Sequence, residues 1–552
     1  MMKVREKWKP SLAWLLALAM IISLTPVMAV TAGAAGNYKD GTFEGTGQGY
    51  GGAVTVSLTI QDGKMTALTS PSHENESFWG SRNVDSLLTA ILSANSESIV
   101  GVEGIDSVSG ATKSSQGVKT AVMDALSKAV DSAFFASGEG TEKNPYVVET
   151  ADQLRDFAAS VDAGTSYEDS YVVLGADLDL SGSNWNPIGT ETGTESIFAG
   201  SLDGQGHTVT GLTIQASNLE TESNLGLFST LDRKAKVKNL NLTGVNIEIG
   251  AEDAVLRAGA IAGDTVSGEN SDAGVGTWLD SCSAQGSVKA ETQGAKLVFC
   301  GGLVGRANII TTITNCWTDV NVEGISRGGN NSAYAGGILG TSGNNAKVIN
   351  CASFGNTKAV SPKSTNFGGM AGGIAAMFAG KAWNVTASGN AVIGNGGSAH
   401  KWIGALFGDN TISGMTRSGN EYLYPDTGAL RDYGYYSDGI TLTVEKYVAS
   451  TGEYESSGTT DLVPAGTGTL ANDTVFAMSE NVRSVSDMDT QAFADIMNAN
   501  MKAVTKLMDA YGMEGLQMRQ WELTDGRVLP TGDAWVNAEP DSSIFDSGSG
   551  TE

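Results

Sequence analysis

Residues 300–351 read CGGLVGRANIITTITNCWTDVNVEGISRGGNNSAYAGGILGTSGNNAKVINC. One short apolar motif occurs twice in this stretch, as Gly302-Leu-Val-Gly305 and Gly337-Ile-Leu-Gly340. A second occurs as Asn315-Cys-Trp and Asn350-Cys-Ala. Working outward, the first motif returns as Gly226-Leu-Phe, Gly259-Ala-Ile-Ala-Gly263, Gly373-Ile-Ala and Gly404-Ala-Leu-Phe-Gly408, and the second as Asp280-Ser-Cys-Ser. Short β-forming copies about 35 residues apart cannot bury an apolar face singly, so the period predicts a solenoid of stacked coils. Each glycine-flanked copy reads as one short strand. Cys282, Cys316 and Cys351 then share a repeat position and stack as an inward ladder of small apolar side chains. Equivalent sites on adjacent coils lie ~5 Å apart, so both free thiols and a disulfide fit the spacing. Cys300 falls outside the ladder.

The repeat unit resembles the Gly-Leu-x-Gly (GLUG) repeats of bacterial surface proteins, which implies a right-handed parallel β-helix over residues 144–420. Asn144-Pro-Tyr-Val-Val-Glu-Thr-Ala-Asp-Gln-Leu154 and Phe198-Ala-Gly-Ser-Leu-Asp-Gly-Gln-Gly-His207-Thr-Val-Thr-Gly-Leu are similar to that family's lead-in. The resemblance makes Gln153–Val161 a capping helix and assigns Asp203 and His207 to a structural turn. Polysaccharide cleavage needs carboxylates converging on one face with a base or calcium. Asp177, Asp179 and Asp203 qualify by type alone, and no repeat sets an acidic pair in register with Lys or Arg. The repeats therefore read as a spacer or a binder of cell-wall glycan or protein.

Before the repeats, Asp40–Asp62 reads DGTFEGTGQGYGGAVTVSLTIQD. Gly47-x-Gly49-x-x-Gly52 matches the dinucleotide fingerprint formally, but that motif works only between a strand and a helix. Here Ala53–Ile60 alternates as a half-buried strand, so the glycines form a turn between antiparallel strands, and Asp62-Gly63 makes the next hairpin. A third strand, Met65–Ser70, leads to the polar loop Ser72-His-Glu-Asn-Glu-Ser-Phe-Trp79 and a helical Leu87–Leu92. In Asp106-Ser-Val-Ser109-Gly110-Ala111-Thr112 and the following KSSQGVKTAVMDALSKAV, Val118, Val122, Ala125, Leu126 and Ala129 share one helical face. Thr112 thus stands at a helix N-terminus, where unpaired N–H groups and the dipole suit a phosphate. Gly110 permits close approach and Lys113 adds positive charge; an ordinary N-cap is the competing reading.

This module, residues 36–132, resembles the FMN-binding domain of bacterial ion-pumping reductases and of many secreted Gram-positive proteins. The glycine-rich opening, the loop after the third strand and the Asp-x-x-Ser-Gly-Ala-Thr box come in the family's order. The resemblance implies a small α+β domain carrying FMN through a phosphoester to Thr112, with Asp106, Ser109, Gly110 and Ala111 as the recognition box. A separate exported flavin transferase consuming FAD would make that bond. Glu76, Ser77 and Trp79 are the implied ring contacts, with Phe78 beside them; the family's Pro-Gly turn is absent from Glu76–Ser81. His73 reads as a surface residue.

Residues 1–35 carry a basic start (Lys3, Arg5, Lys7, Lys9), an apolar run from Leu12 to Leu24 and small residues at Ala32–Ala35, the order of a secretory signal peptide. They hold a net +3, so the formal charge of −27 becomes −30 without them. So acidic a chain does not bind nucleic acid through phosphate neutralisation. His73, His207 and His400 are scattered, with no metal-ligand spacing. Ser137-Gly-Glu-Gly-Thr-Glu142 marks a linker at 133–143. Beyond the repeats, residues 421–540 read as a C-terminal α/β cap: a strand at Thr441–Val448, an amphipathic helix over Phe493–Tyr511 and a hairpin over Trp521–Leu529. Residues 541–552 read as a disordered tail. The helix should turn Phe493, Ile496, Met497, Val504 and Leu507 to one side. Together these readings describe a secreted, cell-surface flavoprotein passing electrons to a membrane or extracellular partner, more an electron carrier than a stand-alone enzyme. A non-redox adhesin or glycan-binding rod with a degenerate first domain is the alternative.

Overall fold

The computed structural model describes residues 38–50, 52–61, 63–70, 81–96, 99, 101–102, 105–108, 112–129, 134–189, 196–266, 276–308, 310–328, 331–343, 346–361, 368–395, 402–409, 432–448, 453–460, 482–510 and 517–535. The proposed leader, the loop at 71–80 and the final tail lie outside them.

The N-terminal domain is an antiparallel sheet of β1 (Gly41–Gln48), β2 (Ala53–Gln61) and β3 (Lys64–Thr69), in that order, with α1 (Ser81–Ala94) and α2 (Thr112–Ala129). The alternation in β2 buries Val54, Val56, Leu58 and Ile60. Onto them α2 lays the expected face of Val118, Val122, Ala125, Leu126 and Ala129, all buried. Gly47 lies in β1, and Gly49 and Gly52 stand in the turn to β2, so strand is followed by strand and the nucleotide fingerprint has no helix to open. The fully buried Asn95 closes the turn after α1: its amide donates to Ile91 and Gly101 carbonyls at 2.7 and 2.8 Å and accepts the Gly101 N–H at 2.9 Å.

From Tyr146 onward the chain winds into stacked parallel coils, a β-helix-like fold. Two six-stranded sheets each take one short strand per coil, running from Ser223–Leu225 to Ile403–Gly404 and from Phe228–Leu231 to Phe407–Asp409. A third, 21-stranded sheet takes the other strands of the coils. The entrance is covered by α3 (Ala151–Asp162), whose Thr150 and Gln153 form a reciprocal capping box. Residues 134–143, read from sequence as a linker, are tied to the first strand: Ala136 N–H donates to Val147 at 2.8 Å and Val147 N–H to Ser137 at 2.9 Å.

The glycine-flanked motif is not one strand but the corner between two. Val298–Gly301 ends before it and Val304–Ala307 begins within it. The physical reason is the middle residue. Leu227, Ile261, Leu303, Ile338, Ile374 and Leu406 point into the core and stack coil on coil, with backbone hydrogen bonds of 2.8–2.9 Å joining consecutive corners from Ile261 onward. The flanking glycines let the two short sheets meet backbone to backbone. A Cβ on Gly340 would lie 2.4 Å from the Gly305 carbonyl oxygen and 2.9 Å from Cys300 N.

A second corner is set by Asn239, Ser281, Asn315, Asn350 and Asn384, all left-handed with φ between 50° and 57°. Asparagine tolerates this conformation because its amide bonds locally. Here the amides also bond each other: Asn350 Nδ2 donates to Asn315 Oδ1 at 2.8 Å, and Asn384 Nδ2 to Asn350 Oδ1 at 2.9 Å. The residue after each of the middle three corners is a cysteine of the expected ladder. Cys282 N–H donates to Cys316 Sγ at 3.3 Å and Cys316 N–H to Cys351 Sγ at 3.4 Å. All four thiols, Cys300 included, are unpaired and buried. Burial pushes Cys282, Cys300 and Cys316 well above the usual thiol range. On the outer face Glu248, Lys289, Glu323 and Lys358 lie side by side in alternating sign. Each exposed pair is worth little, but a slip by one coil would set like charges together.

Past the last coil, α4 (Gln491–Ala510) and residues 517–535 run back along the flank onto the asparagine corner. Arg519 N–H donates to Asn315 Oδ1 at 2.9 Å, its Nε to Ser281 at 2.8 Å, and Trp521 Nε1 to Asn350 Oδ1. The buried side of α4 is Phe493, Met497, Met501, Val504 and Met508; Ile496, expected there, is exposed. The expected hairpin forms as Glu522–Thr524 with Arg527–Leu529, its Asp525-Gly526 turn at positive φ.

Two outcomes test this packing. Asn350→Ala should cost about 2–4 kcal/mol in urea unfolding, since it strands buried partners; Asn350→Gly, which relieves the left-handed strain, should cost about 1 kcal/mol less. The four native thiols should resist a thiol reagent at neutral pH and all react once the chain is unfolded.

Candidate functional site

Thr112, the residue singled out from sequence, is the first residue of α2 and its side chain is exposed. The first turn of a helix presents N–H groups without intrahelical partners, and the positive end of the dipole lies there. Lys113 beside it is exposed, while Ser114 and Ser115 are buried. Ser115 Oγ accepts the Val108 N–H at 3.1 Å, which ties the approaching chain to the helix start. Lys119 Nζ donates to the Ile105 carbonyl from one turn further on. Asp106, between these anchors, is exposed. Ser109, Gly110, Ala111, Glu76, Ser77 and Trp79 lie outside the described residues, as do Phe78 and His73.

The seat of α2 is a glycine contact that sequence reading missed. A Cβ on Gly45 would lie 1.9 Å from the Ala121 carbonyl oxygen, one on Gly47 2.1 Å from that of Gly117, and one on Gly117 2.7 Å from Gly49 N. Helix and strand therefore touch by backbone along β1. The signal was present: Gly45, Gly47 and Gly49 alternate, so beyond Phe43 one side of β1 carries no side chains. Polar bonds fasten the same contact. Asp124 accepts the Thr46 N–H at 2.7 Å and pairs with Lys128 at 2.8 Å, and Lys128 also reaches the Glu44 carbonyl at 2.9 Å. Partial burial pulls Asp124 upward, but the bonds from Lys128 and Thr46 outweigh it and hold the carboxyl below its usual range. That contribution is present at neutral pH and is lost on acidification through the lowered range.

A phosphate fits this end of α2 by its donors. An exposed hydroxyl stands at the first position, the helix N–H groups lie under it, and an ammonium is adjacent. In the coils, by contrast, the candidate acids are spent on structure. Asp203 accepts the Gln205 N–H at 2.9 Å and Asn239 Nδ2 at 3.0 Å, and Asp177 pairs with His207 Nδ1 at 3.0 Å. Among the described residues no group of three or more His, Cys, Asp or Glu is placed to hold a metal ion.

Comparison with known proteins agrees with the N-terminal reading. The FMN-binding domain family profile matches residues 49–127, so the chain carries an FMN-binding domain. Over 136 residues, 24% of this chain and 15% of the relative, it is 36% identical to a protein named as a Gly-rich membrane protein from Evansella cellulosilytica. Over 196 residues, 34% of this chain and 2% of the relative, it is 30% identical to Halomucin from Haloquadratum walsbyi. The chain thus spans a small part of both. Among solved structures, a Bacteroides ovatus protein named as an immunoglobulin A1 protease aligns over 72% of this chain and 96% of its own, at 16% identity and a TM-score of 0.43. An IgA1 protease aligns at a TM-score of 0.28 and 14% identity, over 58% of this chain and 25% of its own. Neither likeness carries a functional argument.

Gly117→Ala should lever β1 off α2. The expected cost is about 1–3 kcal/mol to the N-terminal domain, read as earlier hydrogen exchange of β1 and α2 amides with the coil amides unchanged.

Proposed function

We propose that this FMN-binding domain holds its cofactor covalently, through a phosphoester on Thr112 Oγ1, and that the protein is an exported, surface-associated electron carrier. The observation that carries the reading is the exposed threonine at the first position of an 18-residue helix inside the matched domain. In the loading step the Thr112 oxygen bonds to the FMN phosphorus of FAD, AMP leaves, and the hydroxyl proton goes to solvent or to the transferase. The α2 N–H groups and Lys113 hold the phosphate; Asp106, Ser109, Gly110 and Ala111 present the threonine to the transferase. Glu76, Ser77 and Trp79 take the ring side. A bound flavin supplies one- and two-electron transfer at a potential set by its surroundings. A covalent bond suits a protein beyond the membrane, where a released cofactor diffuses away. Export is supported by the leader-like residues 1–35, and surface association by relatives named as a membrane protein and a halomucin. The right-handed coils serve as a rod that sets reach or contacts cell-wall glycan, and the electron partner lies in the membrane or outside it.

The test is direct. The chain is co-produced with an exported flavin transferase, denatured, run on a gel and viewed under ultraviolet light. The wild-type band should fluoresce and Thr112→Ser should keep part of the signal, while Thr112→Val should be dark. A bright Thr112→Val band overturns the attachment site, and a dark wild-type band favours the non-redox adhesin.

A further inference from the structure

The turn between β1 and β2 bears one large side chain, and it is displayed to solvent. Its sequence is Gly49-Tyr50-Gly51-Gly52, and Gly49 N–H closes it by donating to the Gly52 carbonyl at 2.8 Å. Tyr50 is 74% exposed, well beyond the next large hydrophobics among the described residues, Ile496 at 43% and Leu523 at 41%. The fold gains almost nothing from that ring. A Cβ at Gly52 would meet nothing within 4 Å, so the space beside the tip is open.

The register of β1 against α2 locates the tip. Gly45 touches Ala121 and Ala125, Gly47 touches Gly117 and Ala121, and Gly49 N lies against Gly117. Strand and helix therefore run in opposite directions. A strand rises ~3.3 Å per residue and a helix ~1.5 Å, so two strand residues pass roughly four helix residues. The turn that carries Tyr50 follows Gly49 directly, so it lies toward the N-terminal end of α2, the end that Thr112 begins.

We infer that Tyr50 packs its ring against the isoalloxazine of a flavin held on Thr112, as a positioning residue for the cofactor. The inference rests on the covalent reading above. A phosphate at the helix mouth leaves the ribityl chain and ring free to swing. A flat, exposed aromatic toward the same end of the helix, on a turn otherwise made of glycine, provides a face for offset stacking. A phenol in contact with a flavin also quenches its emission by donating an electron to the excited ring.

Tyr50→Ala, Tyr50→Phe and wild type are loaded by the transferase, and emission of each folded protein is divided by that of the same sample after denaturation. Attachment is scored separately by intact mass. Tyr50→Ala should keep its covalent flavin and show a several-fold higher folded-to-denatured ratio, with a shifted midpoint potential. Tyr50→Phe, which keeps the face but not the phenol, should regain emission while holding the wild-type potential more closely. An unchanged ratio and potential in flavin-bearing Tyr50→Ala overturns the contact while leaving the Thr112 bond standing. Absence of the flavin mass from wild type overturns the attachment first, and this inference with it.

Discussion

Side chains that hydrogen-bond to their own counterparts one coil away hold the rod in register. Within the stack each coil touches only its neighbours, so apart from the tail on the flank nothing distant corrects a slip. At the asparagine corner Asn350 both gives to Asn315 and receives from Asn384, and all three are buried. Each also occupies a left-handed backbone position that costs an ordinary residue about 1–2 kcal/mol. Asparagine reduces that cost, and its amide supplies the bond to the next coil. The tail depends on the same ladder, because Gln517, Arg519 and Trp521 bond to the edges of Asn315 and Asn350 that the stack leaves open. Without the ladder, α4 would lose its polar anchor on the flank.

Close backbone approach is the second constraint, and both halves of the molecule use it. In the coils Gly305 and Gly340 allow the two short sheets to meet directly, and the Leu or Ile of the corner is buried inside. In the N-terminal domain Gly45, Gly47 and Gly117 allow β1 to lie on α2. The outcome differs in what it positions. The coil contact yields a uniform rod. The domain contact fixes a helix relative to a hairpin, and so sets the Tyr50 turn toward the end of α2 that Thr112 begins.

What sequence disclosed follows from which interactions are periodic. The coil stack was legible because the corner motif and the cysteine position recur, and the α2 face because Val118, Val122, Ala125, Leu126 and Ala129 follow the helical period. The corner itself was misread. A run of Gly-Leu-x-Gly has no pattern that separates a strand from a bend, and only stacking shows Leu303 at the vertex. Ile496 was assigned inward by periodicity, yet the flank selects a narrower stripe centred on Met497, Met501 and Val504. The bonds from the tail to Asn315 and Asn350 span some 170–200 residues and leave no local trace. At the site, Thr112 was legible from its box and its helix, whereas Tyr50 carried no periodic or motif signal; its meaning comes from the glycine register alone.

The junction between domain and rod bears on how a cofactor on Thr112 would be presented. A flexible linker would let the domain wander, and reach would depend on linker length. Residues 134–143 instead join the first coil, and the Phe135 ring stacks on Tyr146 at 4.4 Å, 8° from parallel. From there Phe157, Tyr167, Phe198 and Phe228 continue ring to ring into the coil core, with centroids 5.0–5.6 Å apart. Tyr38 and Tyr167 are both buried, and Ala163, just past the capping helix, packs on the N-terminal core. The chain thus enters the rod through a packed aromatic seam. Under the flavin reading, the cofactor is bonded to a helix of the domain, and the chain that follows that domain is fastened to the first coil.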